Sequence, residues 1–174
     1  MDVMEAIAQR QSCRNFTGEK IGERELHVLL QAAQAAPVAY GDYSGVHIAV
    51  LQDPALLERL EQYAREEFGG EGPGRPLHTA PTLLSISCRA GEEAAAWANA
   101  SCIAENVMLA AAGLGLGSLY LMGVPAAAQK NRELCRALAV PEGFAPYVMV
   151  GVGRPAAPQP RRALPSGRIA VDFR

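Results

Sequence analysis

The sequence predicts a layered domain of the α/β or α+β class, because helical and strand-like segments alternate along its length. Apolar residues recur at helical spacing in some segments and form short runs of Val, Ile and Leu in others. Glycine and proline lie at most of the boundaries between them. With 174 residues, 49% hydrophobic and 20% charged, the chain has the size and balance of one globular domain.

Five helices are predicted, at residues 2–9, 23–36, 54–68, 92–114 and 125–138. In the second, Leu26, Leu30 and Ala33 are spaced four and three residues apart, and Pro37 ends the helix. The fourth is apolar on nearly all sides, which indicates burial in the centre of the molecule or at a subunit interface. Strands are predicted at residues 46–51, 82–88, 119–122 and 146–153, with 169–171 able to form one more. Residues 69–80, rich in Gly and Pro, are predicted to be a loop.

Charge and cysteine content narrow the kinds of partner. The formal charge is -2 and most basic residues are scattered, so binding to nucleic acid or to an anionic membrane is not expected. Acidic residues stand where a signal peptide would be basic, and we expect a cytoplasmic protein. The four cysteines lack metal-binding spacing and are expected to be reduced. Cys13, beside arginines, is either a packing residue or a reactive thiol.

The segment after the first predicted helix is a candidate binding site. Side chains alternate in an extended chain, so Arg10, Ser12 and Arg14 are expected on one side, facing a common point. Arginine forks match phosphate oxygens bidentately, and serine adds a neutral donor. A solvated basic patch is the alternative interpretation. A second group of arginines follows near the C-terminus, at Arg154, Arg161, Arg162 and Arg168. These side chains either lie in solvent along the tail or bind the same anion, and the sequence leaves both possibilities open.

Three glycines, Gly113, Gly115 and Gly117, lie at the end of the longest predicted helix and just after it. A dinucleotide-binding fingerprint runs from strand through glycine turn to helix, whereas here a helix precedes the glycines and a strand follows. The glycines are therefore interpreted as a helix C-cap and a tight turn into the strand. No nucleophile triad is visible in the sequence, which suits chemistry carried by a cofactor.

Several short motifs occur in a fixed order along the chain. Arg10-Gln-Ser-Cys-Arg-Asn-Phe16 is similar to R-x-S-x-R-x-F, and the run from Glu105-Asn106 to Ser118 is similar to Q-N-x-x-L-A-A-x-x-L-G-L-G-S. Gly151-Val-Gly-Arg-Pro155 follows. In this order the motifs resemble the nitroreductase family over nearly the whole chain. The resemblance implies an α+β fold with a central, mostly antiparallel sheet flanked by helices, in an intertwined homodimer with FMN at the subunit interface.

The resemblance also assigns roles to residues. Those expected to hold the FMN phosphate and ribityl chain are Arg10, Gln11, Ser12 and Arg14, with Arg161 or Arg162 reaching the phosphate from the tail. Those expected in the turn whose backbone approaches the flavin ring are Tyr120, Leu121, Met122 and Gly123. The implied mechanism is ping-pong. NAD(P)H reduces the flavin and leaves, and a nitroaromatic, quinone or similar small aromatic acceptor then binds on the same ring face.

One segment departs from the family pattern. After Ala36-Pro37 the family usually reads S-A-x-N-x-Q-P-W, where this chain has Val38-Ala-Tyr-Gly-Asp-Tyr-Ser-Gly45. Tyr40 and Tyr43 either stack on the ring in place of the missing groups or belong to a pocket for another ligand. The alternative function is therefore a family member that binds flavin or another ligand without turnover. In a third interpretation the chain is an unrelated interaction protein, and the arginines are solvated and bind no anion.

Overall fold

The centre of the fold is a four-stranded antiparallel sheet. In the computed structural model, which describes residues 1–68 and 74–174, the strands are β1 (Val46–Leu51), β2 (Thr82–Arg89), β3 (Gly117–Leu121) and β4 (Phe144–Gly153). Their order across the sheet is β1-β2-β4-β3, so β2 and β4 are central and β1 and β3 form the edges. The α+β class with an antiparallel sheet, expected from the resemblance, is confirmed.

Helices cover both faces of this sheet. They are α1 (Val3–Gln9), α2 (Glu23–Gln34), α3 (Pro54–Glu67), α4 (Glu93–Gly113), α5 (Gly123–Ala128) and α6 (Arg132–Ala137). One core lies between the sheet and helices α2 and α4, and the other lies between the sheet and helices α3, α5 and α6. Among the helices that the structure describes, none is long and apolar enough to cross a bilayer.

Alternation along the central strands separates the two cores. Leu84 and Ile86 of β2 belong to the core under α2 and α4, whereas Leu83 belongs to the opposite one. Every residue of β2 except Arg89 is buried, because both faces of the sheet are covered. Leu83, Leu84 and Ile86 supply apolar side chains to the two cores, and Ser85 and Ser87 are buried beside them.

The glycine-rich end of α4 forms the cap and turn that the sequence predicts. Gly115 has a φ of +72°, a left-handed conformation that glycine adopts without strain. Its N–H donates to the carbonyl of Ala112, and the N–H of Leu116 donates to the carbonyl of Ala111. These two bonds make a Schellman cap, which turns the chain directly into β3. The interpretation as a C-cap is confirmed, and the dinucleotide alternative is excluded.

Two element predictions are wrong. Residues 125–138 form two helices, because the side chain of Asn131 accepts the N–H of Leu134 and starts a new helix at α6. Residues 169–171 form no strand in the described chain, and Ile169 is 81% exposed. Helix α2 also ends two residues earlier than expected. Of the predicted loop, residues 69–73 lie outside the described residues.

Candidate functional site

The N-terminal arm, residues 10–16, lies against the edge strand β3. Ser12 forms a parallel bridge with Ser118, whose carbonyl accepts the N–H of Cys13 at 2.8 Å. Phe16 then pairs with Pro155, just beyond the end of β4. The arm is therefore extended, as predicted, and is held to the sheet by its backbone.

Two glycines allow the arm to approach the sheet closely. A Cβ added at Gly117 would lie 2.7 Å from the Sγ of Cys13, and one at Gly153 would lie 3.0 Å from the ring of Phe16. Cys13 is only 3% exposed, its thiol donates to the Asn15 carbonyl, and burial raises its pKa. A buried thiol of raised pKa is a weak nucleophile, so Cys13 is a packing residue.

The charged side chains of the arm have different neighbours. Ser12 and Arg14 are exposed on the side opposite the buried Cys13, as alternation predicts. Arg10 is half-buried, and its Nε lies 3.6 Å from the carboxylate of Glu105 on α4. Arg14 lies near His78, where burial lowers the pKa of the imidazole and the positive charge of Arg14 lowers it further. The arm thus spreads its two arginines toward α4 and toward the segment before β2.

The C-terminal tail, residues 154–162, returns to the arm. The amide of Gln9 donates to the carbonyl of Gln159 at 2.8 Å, and the amide of Gln11 donates to that of Pro160 at 2.9 Å. These contacts bring Arg161 and Arg162 beside the end of α1. The tail with Arg161 and Arg162 therefore lies beside residues 9–11, whereas the sequence left the position of these arginines open. Arg154 is directed elsewhere and is paired with Glu19 and Glu25, and Arg168 lies exposed further along.

A cavity of about 180 Å³ lies where the arm, the tail and the glycine turn meet. Its polar lining includes Arg10, Gln11, Ser118 and Gln159. Neither Tyr40 nor Tyr43 is among its lining residues, so the chain's own tyrosines do not fill this space.

The other end of β3 leads into a turn with exposed backbone. Leu121 is buried, Met122 is 52% exposed, and Gly123 begins α5 without a side-chain cap. A Cβ at Gly123 would lie 2.8 Å from the ring of Phe68, so the glycine allows this ring to pack on the turn. The hydroxyl of Tyr120 shares a 2.8 Å hydrogen bond with that of Ser101 on α4. From Ser118 to Met122 the strand advances by about 13 Å.

The segment that departs from the family pattern, residues 38–45, forms two short 3₁₀ turns. Tyr40 has a φ of +58° and is 97% exposed. The flanking backbone is fixed, because the N–H of Ala39 donates to Asn99 at 2.7 Å and the hydroxyl of Tyr43 donates to the carbonyl of Ala36 at 3.2 Å. An aromatic side chain is thus presented to solvent from a strained, anchored backbone.

Several contacts of this site were not expected from the sequence. They are Glu105 beside Arg10, Gln9 on the tail, and the ring of Phe68 on Gly123. All three join residues far apart in the sequence, and no spacing or composition signals such pairs. Within residues 1–68 and 74–174, no group of acidic, His and Cys side chains is suited to hold a metal ion.

The fold and the site define an α+β protein whose edge strand β3 has a basic arm and a small cavity at one end and an exposed turn at the other. Residues 7–154 match the model of the nitroreductase family, and the chain therefore belongs to the nitroreductase family. A protein of Methanothermobacter thermautotrophicus, provisionally named NADH dehydrogenase/NAD(P)H nitroreductase, is 28% identical over 159 residues, which are 90% of this chain and 78% of the relative.

Solved structures share the fold over its whole length. A nitroreductase with bound FMN from Bacteroides fragilis superposes with a TM-score of 0.86 at 24% identity, covering 99% of this chain and 100% of its own. A nitroreductase with bound FMN from Desulfitobacterium hafniense has a TM-score of 0.88 at 21% identity, with the same coverage. At these sequence identities the two structures establish the fold of this chain. The bound FMN is an observation on those two proteins.

Proposed function

We propose that the protein is an FMN-dependent oxidoreductase that transfers electrons from NAD(P)H to a nitroaromatic, a quinone or a similar small aromatic acceptor. The observation that carries this proposal is the placement of two features at opposite ends of β3. A basic arm lies at one end of β3 and an exposed, glycine-containing turn at the other, about 13 Å away. FMN has the same layout, with an anionic phosphate at one end and a flat ring at the other.

The residues at the basic end fit a phosphate. The contact between Nε of Arg10 and Glu105 leaves the two terminal NH₂ groups of Arg10 to form a fork to phosphate oxygens. Exposed Ser12 and Arg14 add a hydroxyl and a second guanidinium, and Arg161 is exposed on the neighbouring tail. Gln11 donates its amide to the tail, so its role is to hold the tail beside the arm.

The residues at the other end fit a flat ring. Bound FMN supplies the acceptor for hydride and the donor of electrons. With FMN bound, the backbone N–H groups of Met122 and Gly123 would be available to stabilise negative charge on the ring, because no side chain caps the start of α5. Phe68 packs behind Gly123 and holds the turn in place. The hydroxyl of Tyr120 is held on the side of α4 by its hydrogen bond with Ser101.

We further propose an intertwined homodimer. One face of α4 is exposed at small residues such as Ala98 and Cys102, which permit close helix packing. The chain beyond the tail also exposes large apolar side chains, with Val171 at 67% and Phe173 at 95%. Apolar surface of this kind favours an interface, and a second copy of the chain would cover both features. The FMN site would then lie at the boundary between the two copies.

Spectroscopy of the purified protein tests the cofactor and the reaction separately. We expect a yellow protein with a flavin spectrum that releases FMN on denaturation, identified by mass. Under anaerobic conditions NADH or NADPH should bleach the flavin, and a nitroaromatic or quinone should restore the colour. Colourless protein that does not take up FMN contradicts the cofactor assignment. Yellow protein that neither nucleotide bleaches supports the alternative, a flavin-binding family member without turnover, which the altered residues 38–45 favour.

Sedimentation and thiol labelling test the dimer. We expect a mass of twice 18.4 kDa and slow alkylation of Cys102, which is exposed in the single chain. Dilution to the monomer should restore fast labelling. Cys102→Ser identifies the labelled site, because it leaves only the buried Cys13 and Cys88 and the half-buried Cys135. A monomer at all concentrations contradicts the proposal.

A further inference from the structure

The C-terminal tail closes over the end of α1. A helix leaves its last carbonyl groups without partners inside the helix. Two of these groups are satisfied by one residue of the tail. The guanidinium of Arg162 donates to the carbonyl of Ile7 at 3.0 Å, and its backbone N–H donates to the carbonyl of Ala8 at 3.1 Å. Arg162 is therefore a C-cap supplied from about 150 residues away.

Electrostatics favours this position for Arg162. The last turn of α1 contains no basic residue, and a positive charge stabilises the negative end of a helix. Arg162 is half-buried, and its Nε is buried without a hydrogen-bond partner among the described residues. The guanidinium of Arg162 therefore faces α1 through its hydrogen bond to the carbonyl of Ile7.

Two glutamines fix the tail on the same side. The amides of Gln9 and Gln11 hold the carbonyls of Gln159 and Pro160. Among the described residues, the residue before Arg162 makes no hydrogen bond to α1. That residue is Arg161, which is exposed. The two neighbouring arginines are therefore not equivalent.

We propose that Arg162 is a positioning residue. Together with Gln9 and Gln11 it forms a tail lock, which holds the tail against α1 and directs Arg161 toward the phosphate of the cofactor. The assignment of Arg161 rests on the proposed function, whereas the lock itself rests on hydrogen bonds within this chain. The sequence offered either arginine as the phosphate ligand, and the structure assigns them different tasks.

Hydrogen exchange tests the lock on the purified protein. In Arg162→Met, which keeps the length of the side chain, we expect the peptide around residues 159–163 to exchange at least tenfold faster. Gln9→Ala should have a similar effect, because it removes an anchor and keeps both arginines. Arg161→Ala should leave exchange unchanged. Unchanged protection in both Arg162→Met and Gln9→Ala would overturn the lock, whether or not the protein binds FMN.

A double-mutant cycle tests how Arg162 acts. We expect Arg161→Ala and Arg162→Met each to raise the Kd for FMN by about tenfold, as the loss of a charge-assisted contact would. If Arg162 acts through Arg161, the double variant binds no more weakly than the weaker single variant. Additive losses, about a hundredfold together, would show that both arginines contact FMN and would overturn the positioning role.

A conservative variant and the FMN affinity of the wild-type protein serve as controls for these two experiments. Arg162→Lys retains a donor and a positive charge at the end of α1, so it should rescue part of the protection and part of the affinity. If Arg162→Met does not fold, Gln9→Ala and Arg162→Lys carry the same comparison. A wild-type protein that shows no affinity for FMN contradicts the proposed function, and exchange in the tail then still decides the lock.

Discussion

The N-terminal arm and residues 38–45 are both irregular segments held in one conformation, by different means. The arm is fixed by backbone pairing with β3 and by close contacts over Gly117 and Gly153. Residues 38–45 are fixed by side chains, with Asn99 on Ala39 and Arg89 on Asp42 and Ser44. The arm leaves the side chains of Ser12 and Arg14 exposed and available to a ligand. Residues 38–45 use most of theirs for support and present only Tyr40.

The largest effect is expected from the charges of the arm. Arg10→Ala combined with Arg14→Ala should weaken FMN binding at least a hundredfold, because each charge-assisted contact contributes roughly 1.5–3 kcal/mol. Titration of the apoprotein with FMN and with riboflavin measures this. Riboflavin lacks the phosphate, so its affinity should change little. Arg24→Ala, at an exposed position on α2, is the matched control. Retention of FMN by the double variant would refute the phosphate assignment.

The stability of the contact between the arm and β3 should be sensitive to one added methyl group. Gly117→Ala places a Cβ 2.7 Å from the Sγ of buried Cys13, and we expect a loss of about 1–3 kcal/mol in the free energy of unfolding. Gly113→Ala is the control, because that glycine has open space around it and lies at the end of α4. Alanine there should be neutral or stabilising by up to about 1 kcal/mol. Denaturant unfolding of both variants checks this, and equal losses would contradict the close contact.

Residues 38–45 should respond in the opposite direction. Tyr40→Gly removes the strain of a left-handed residue and loses little packing, because the side chain is 97% exposed. We expect stabilisation of about 1 kcal/mol, seen as a Tm higher by about 2–4 °C. Tyr43→Phe should instead lower the Tm slightly, since it removes the hydrogen bond to Ala36. A lower Tm for Tyr40→Gly would mean that Tyr40 has a packing partner.

The smallest effect concerns pH. The hydrogen bond from Ser44, and then the charge of Arg89, lower the pKa of Asp42 below its ordinary value of 3.8. A carboxyl with a lowered pKa in the folded state stabilises the protein above about pH 5, and this stabilisation is lost as the pH falls through the folded pKa. Asp42→Asn should therefore unfold slightly more easily at pH 7 and match the wild type near pH 2. A difference that grows as the pH falls would contradict this assignment.

The sequence predicted much of the fold and only part of the site. Strands such as Val46–Leu51 were predictable because short runs rich in Val and Ile favour strands. The cap at Gly115 was predictable because a left-handed turn favours glycine. The break before α6 had a signal, Asn131 ahead of Glu133, which is typical of a helix start. The left-handed Tyr40 had none, because tyrosine is not a residue that this conformation favours.

The contacts around Arg10 were beyond prediction for another reason. Alternation in the arm is a local property and was correct for Ser12, Cys13 and Arg14. The partner of Arg10 on α4 depends on how two distant elements pack. The roles of Arg161 and Arg162 depend on the same kind of contact. No local pattern in the sequence encodes such contacts.

The bonds between Gln9 and the tail join positions 150 residues apart. The arm is synthesised early and the tail, which forms part of the cavity lining, is synthesised late. The cavity is therefore incomplete while the strands of the sheet are being synthesised. Closing so large a loop is entropically unfavourable until that sheet has already brought the ends together. The binding site should therefore form last, and a released chain that ends before residue 159 would have a complete sheet but an incomplete cavity wall.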